Sequence, residues 1–130
     1  MIRSRAPSVP RDRSNLVWKA ACSLWRVLGR RGLPAGVTVS IRKAIPLEAG
    51  LGGASSDAVA ALRGLSVLWQ ARLDSEMFRD LAAGIGSDAP FFLDGGTALG
   101  TGRGERVCPL PDLDRHWIVL AVPWFGVPTA

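Results

Sequence analysis

The chain has 130 residues, enough for one domain with a buried core, and its 48% hydrophobic content excludes a disordered protein. Lys and Arg number 16 against 11 Asp and Glu, a net charge of +5, with much of the excess in Arg3, Arg5, Arg11, Arg13, Arg30 and Arg31. No basic stripe is interleaved with aromatics and tyrosine is absent, so this charge reads as a solvated arginine-rich surface and no nucleic-acid partner is expected. No run approaches the ~20 apolar residues of a membrane-spanning helix, and Met1–Arg5 lacks the apolar core of a signal peptide, so neither membrane nor export is expected. Cys22 and Cys108 lack metal-ligand spacing and read as buried free thiols, which suits a reducing, cytoplasmic setting. His116 is the sole histidine and, beside Trp117 at a strand start, reads as structural.

In chain order, residues 1–13 are rich in Arg, Pro and Ser and read as an irregular lead-in, with the domain at 14–130. Ser14 is the expected N-cap of a helix over Asn15–Leu28, with Leu16, Trp18, Cys22, Leu24, Trp25 and Leu28 on its buried side; Gly29, Gly32 and Pro34 end it. Val37, Val39 and Ile41 alternate with Thr38, Ser40 and Arg42, a strand with one wet face. A second helix is expected from Ala58 to Leu68, burying Val59, Leu62, Leu65, Val67, Leu68 and Trp69. Asp74 caps a short helix through Ala83, stopped by Gly84 and Gly86. Short strands are expected near Pro90–Leu93, Thr97–Thr101, Arg106–Cys108 and Trp117–Val122. Strands and helices mix without regular alternation, which predicts an α+β fold rather than a doubly wound sheet.

Between the first strand and the second helix lies Pro46-Leu47-Glu48-Ala49-Gly50-Leu51-Gly52-Gly53-Ala54-Ser55-Ser56. A glycine-rich turn from strand to helix can bring backbone N–H groups close to a phosphate, and the helix start adds unpaired N–H groups and a positive dipole end. Ser55 and Ser56 can cap the helix or reach a phosphate or its metal. The loop is no Walker A motif, because no Gly-Lys-Ser/Thr closes it, and Ser55 stands where a dinucleotide fingerprint needs Gly or Ala. On the residues alone, a phosphate loop and a merely capped turn remain equally open readings.

The segment Pro46–Ala58 resembles the nucleotide-binding motif of the GHMP kinases. Its Gly-Gly-x-Ser-Ser-Asp form is most similar to the 4-diphosphocytidyl-2-C-methyl-D-erythritol kinase branch, with Ala54 where that branch usually has a third glycine. Gly86-Ser87-Asp88-Ala89-Pro90-Phe91-Phe92 resembles the family segment that carries the catalytic aspartate. Gly95–Ala98, Gly102–Glu105, Asn15–Ala21 and Pro123–Thr129 resemble further family pieces in family order, so the likeness runs from Pro10 to the C-terminus.

The resemblance implies a partial GHMP-kinase N-terminal domain of the ribosomal protein S5 domain 2-like class, truncated at both ends, in which the lysine-bearing N-terminal segment and the C-terminal half of the family chain are missing. It implies an ATP-dependent kinase acting on 4-diphosphocytidyl-2-C-methyl-D-erythritol in non-mevalonate isoprenoid synthesis, inactive as the isolated chain. Pro46–Ser56 would hold the nucleotide phosphates with Mg²⁺, and Asp88 would orient or deprotonate the acceptor hydroxyl. By its residues alone Asp88 reads as an Asx-turn or helix-end residue, a reading the resemblance reverses. Asp57 is explained by the helix dipole, and Arg103 with Glu105 by a hairpin turn. As a domain cut from a larger fold, the chain is expected to self-associate through exposed core faces. Two other readings stand beside this one: another GHMP kinase of homoserine or mevalonate type, and a non-catalytic anion-binding module.

Overall fold

A computed structural model describes residues 1–122 as four helices and four short strands in the order β1 (Ile2–Ser4), α1 (Leu16–Val27), β2 (Val39–Ile41), α2 (Gly53–Leu68), α3 (Ser75–Ile85), α4 (Phe91–Asp94), β3 (Ala98–Thr101) and β4 (Arg106–Pro109). β1 and β2 flank α1 and pair in parallel, Ile2 opposite Val39 and Ser4 opposite Ile41. β3 and β4 form an antiparallel hairpin, Ala98 opposite Pro109 and Thr101 opposite Arg106. This is the expected α+β mixture.

The core is a helix sandwich. Ala20, Ala21 and Leu24 of α1 pack on Ala58, Val59, Leu62 and Leu65 of α2, closed by Ala82 and Ile85 of α3 and by Ala89. Small residues on the facing stripes let the two backbones approach closely. The stripe on α1 is Val17, Ala20, Ala21 and Leu24, an i, i+3, i+4, i+7 set. Of the six residues expected on its buried side, only Leu24 is fully buried; Leu16, Trp18, Cys22, Trp25 and Leu28 are half-buried and flank the stripe. On α2, Val67 and Leu68 are exposed, because they fall off the buried stripe of Ala58, Val59, Leu62, Leu65 and Ser66.

The helix ends follow local hydrogen bonding. Asn15, not Ser14, caps α1, its side chain accepting from Val17 N–H at 2.9 Å. The Ser14 hydroxyl is already bound to the Asp12 carboxylate at 2.6 Å, which leaves the cap to its neighbour. Gly29 N–H donates to Arg26 C=O and Arg30 N–H to Trp25 C=O, a Schellman closure with Gly29 at φ +68°. α2 closes in the same way through Gln70 and Ala71, but with Gln70 at φ +56°. Trp25 and Trp69 meet edge to face at 5.0 Å beneath Arg30, tying these two ends together. Asp74 caps α3 as expected, accepting from Met77 N–H at 2.8 Å, but Gly84 lies inside that helix and Gly86 ends it.

Several expectations are corrected. The lead-in is not wholly irregular: Ile2 sits in β1 and, with Val9, is buried. Pro90–Leu93 is not a strand; Pro90, in the αR region, starts the single helical turn α4. Trp117–Val122 forms no strand, because a strand needs a ladder partner and the described residues supply none; Trp117 and Val119 are fully exposed and His116 lies in the same extended run. The two thiols are free, but Cys22 is half-buried and Cys108 exposed. The Pro123–Thr129 motif lies outside the described residues.

Candidate active site

The alternation of β2 carries the chain into the loop. Val37, Val39, Ile41 and Lys43 are half-buried while Thr38, Ser40, Arg42 and Ala44 are exposed. The loop turns through Glu48 at φ +53°, Gly50 at +70° and Gly52 at +63°, and α2 starts at Gly53, earlier than the expected Ala58. Gly52 is the N-cap and offers no side chain to the helix. The amides of Gly53, Ala54 and Ser55 meet no acceptor among the described residues. They are the free donors that an anion at a helix start requires.

Two glycines here are dictated by close approach. A Cβ on Gly52 would lie 2.5 Å from Phe92 Cζ, and one on Gly53 3.0 Å from both Lys43 Nζ and Ile45 Cγ2. Ala54 is exposed in the first helical turn with an ordinary negative φ, so a third glycine is not needed there.

Neither serine caps α2. The Ser55 hydroxyl, on a buried residue, donates to Asp88 Oδ1 at 2.7 Å, and the Ser56 hydroxyl donates to Gly53 C=O at 3.1 Å. The first bond joins the start of α2 to the turn between α3 and α4. Gly86 makes room for it, since a Cβ there would lie 3.3 Å from Asp88 Oδ1. Asp88 Oδ2 has no partner among the described residues and faces Gly52, 3.5 Å from where its Cβ would be.

These pieces share a cleft of about 370 Å³ lined by Gly50, Leu51, Gly52, Asp88, Phe91 and Phe92, with the hairpin glycines Gly100 and Gly104 on its far wall. Gly53, Ser55 and Ser56 are placed behind it in the first helical turn. Pro46, Leu47 and Glu48 lie exposed on the outer side of the loop with half-buried Ala49, and none of the four lines the cleft. Arg103 and Glu105 stay in the β3–β4 turn, where the Arg103 N–H donates to Glu105 Oε2 at 2.8 Å. Hydrogen bonds from backbone N–H groups hold the Glu105 carboxyl below its ordinary pKa.

The sequence reading missed Lys43. Its side chain is 8% exposed, and its ammonium lies 2.7 Å from Asp57 Oδ2, just past the first turn of α2. Because α2 starts at Gly53, Asp57 lies beyond the first turn, and the ion pair with Lys43 rather than the helix dipole accounts for it.

A helix-capped glycine loop joined by a serine to a single carboxylate, on one cleft, defines the class. The sequence profile of the GHMP kinases N terminal domain matches residues 15–96, and the chain belongs to this family. It is similar to 4-diphosphocytidyl-2-C-methyl-D-erythritol kinase of Listeria innocua, 46% identical over 96% of this chain and 42% of that protein. The enzyme of the same name from Nocardia farcinica is 50% identical over 88% of this chain and 36% of its own length. A solved structure titled crystal structure of 4-(cytidine 5'-diphospho)-2C-methyl-D-erythritol kinase superposes with a TM-score of 0.67 at 39% identity, covering 85% of this chain and 38% of that one. The chain therefore spans about two fifths of the length of these relatives.

Proposed function

We propose that this chain is the nucleotide-binding part of an ATP-dependent kinase that phosphorylates an alcohol of 4-diphosphocytidyl-2-C-methyl-D-erythritol. The observation that carries the reading is the Ser55–Asp88 bond, which sets a carboxylate with one unpartnered oxygen beside an uncapped helix start. The names and identity of the relatives support the acceptor.

Phosphoryl transfer asks mainly for positioning and charge stabilisation. The amides of Gly53–Ser55 and the dipole of α2 hold the phosphates of ATP, and Gly52 lets the chain approach them without a side chain in the way. The acceptor hydroxyl enters from the cleft and loses its proton to Asp88 Oδ2. Its oxygen bonds the terminal phosphorus as the bond from that phosphorus to the bridging oxygen breaks, leaving ADP. Ser55 holds Asp88 by Oδ1, so Oδ2 remains the basic atom. The hydroxyls of Ser55 and Ser56 are the side-chain oxygens at the helix start that Mg²⁺ carried with the nucleotide would meet, and its chemistry is to neutralise phosphate charge. The reaction is assigned to the cytoplasm, which the two free thiols suit.

Titration of the 130-residue chain with Mg·ATP tests the loop. A chimera of the Listeria innocua enzyme, with the 125 matched residues replaced by those of this chain, tests the chemistry. The expected result is nucleotide binding by the chain and phosphorylation of the CDP-linked alcohol by the chimera. A chain that binds no nucleotide, or a folded chimera that turns over homoserine or mevalonate instead, overturns the proposal.

A further inference from the structure

The outer face of α1 carries a second concave site that phosphoryl transfer does not use. A cavity of about 350 Å³ is lined by Arg13, Trp18, Lys19, Cys22, Ser23 and Arg26, with Leu33 and Gly84 at its edge. Residues 18, 19, 22, 23 and 26 fall on one helical face, and Arg13 joins them from the turn before Asn15. This wall holds three cations and no carboxylate. Among the described residues the ion pairs are Lys43–Asp57, Arg79–Asp94 and Arg103–Glu105, and none involves Arg13, Lys19 or Arg26. Nor do the Trp18 indole N–H or the Ser23 hydroxyl donate to protein among these residues, whereas Trp25 on the same helix donates to Arg31 C=O.

The contrast with the cavity beside α4 is informative. That one also has two arginines, but Arg63 binds Leu93 C=O and Arg79 is forked onto Asp94, so their donors hold the fold together. Like charges gathered in a concavity repel one another, and among the described residues no carboxylate lines the cavity or pairs with these cations.

We propose that this cavity is an anion site for a small ligand with two or more negative charges, such as a di- or polyphosphate, whose apolar portion lies on Trp18 and Leu33. Arg13 and Arg26 offer planar donor forks to phosphate oxygens from the two ends, Lys19 a compact charge between them. Cys22 sits in the cavity wall, so an occupied site covers its thiol.

The test is alkylation of the 130-residue chain by neutral iodoacetamide, with inorganic pyrophosphate as the probe and exposed Cys108 as internal reference. At a pyrophosphate concentration ~10 times Kd, the ligand-free and reactive fraction at Cys22 falls about tenfold while Cys108 is unchanged. The variant Arg13→Gln/Lys19→Gln/Arg26→Gln loses this protection with an unchanged circular dichroism spectrum, and Arg13→Gln alone, which leaves the helix untouched, weakens it. Gly52→Ala in the phosphate loop keeps it. The proposal is overturned if pyrophosphate leaves Cys22 reactivity unchanged, if sodium chloride of equal ionic strength protects equally, or if the arginine and lysine variants stay protected. It is likewise overturned if Gly52→Ala abolishes protection, which assigns the effect to the phosphate loop.

Discussion

Replacing Gly52 by alanine tests the phosphate loop at its most constrained point. Gly52 sits at φ +63°, where an L side chain costs roughly 1–2 kcal/mol. The new methyl would also lie 2.5 Å from Phe92 Cζ and 2.9 Å from Cε2. Phe92 cannot simply swing aside: it packs on the helix core and meets Phe91 edge to face at 5.3 Å. If the backbone term alone acts, the binding-competent loop falls to about 1/5 to 1/30 of its population, and the apparent Kd for Mg·ATP rises by the same factor. The Phe92 contact adds to this. Gly50→Ala is the comparison, because Gly50 has φ +70° but nothing within 4 Å of an added Cβ. It should show the backbone term without the contact. Calorimetric titration of the two variants and the parent 130-residue chain reads all three. If Gly52→Ala binds Mg·ATP within about twofold of the parent, or if Gly50→Ala is the weaker binder, the loop does not act as argued.

In the chimera, Asp88→Asn should lower kcat by roughly 10²–10⁴-fold with nucleotide affinity little changed, and an active Asp88→Asn chimera refutes the base assignment. Ser55→Ala should lower kcat by less, because Asp88 then loses the hydrogen bond that orients it; a kcat equal to that of the parent chimera would show that Ser55 does not position it. Asp57→Asn strands the nearly buried Lys43 ammonium and should destabilise the chain on the order of 2 kcal/mol, between the values for exposed and buried pairs, as read by urea unfolding. Gln70→Gly should stabilise it by about 0.5–1 kcal/mol, because Gln70 holds a left-handed C′ position; no rise in melting temperature counts against this. The exposed run from Trp117 to Val122 makes self-association the expected behaviour at roughly micromolar concentration and above, and a clean monomer in sedimentation would refute it.

Local signals were legible where the chain satisfies itself locally. Asp74 is followed by its own helix, and the Gly29 stop needs only the preceding turn. The N-cap of α1 slipped by one residue because Asp12, two positions back, takes the Ser14 hydroxyl. The run Pro90–Leu93 shows the limit of short apolar segments: four residues cannot reveal a period, and the proline decides for a helical turn. β1 was hidden because a three-residue strand with charged neighbours has no signature of its own; it exists through pairing with β2, 37 positions away at Ile2 and Val39.

The site divides along the same line. The loop glycines announce themselves by type and spacing, whereas the bond that gives Asp88 its orientation spans 33 residues and leaves no local trace. Lys43 is the instructive case, because a signal was present. The alternation that buries Val37, Val39 and Ile41 continues with the same period to residue 43, which places a lysine on an inward face. An ammonium taken from water needs an anion close by. The loop returns the chain to that spot near the start of α2, and Asp57, the fifth residue of the helix, stands there. The strand period thus required a carboxylate in the next element, and the helix start supplied it at 2.7 Å. The ion pair braces the two ends of the glycine loop, and the amides of Gly53–Ser55 meet no acceptor among the described residues.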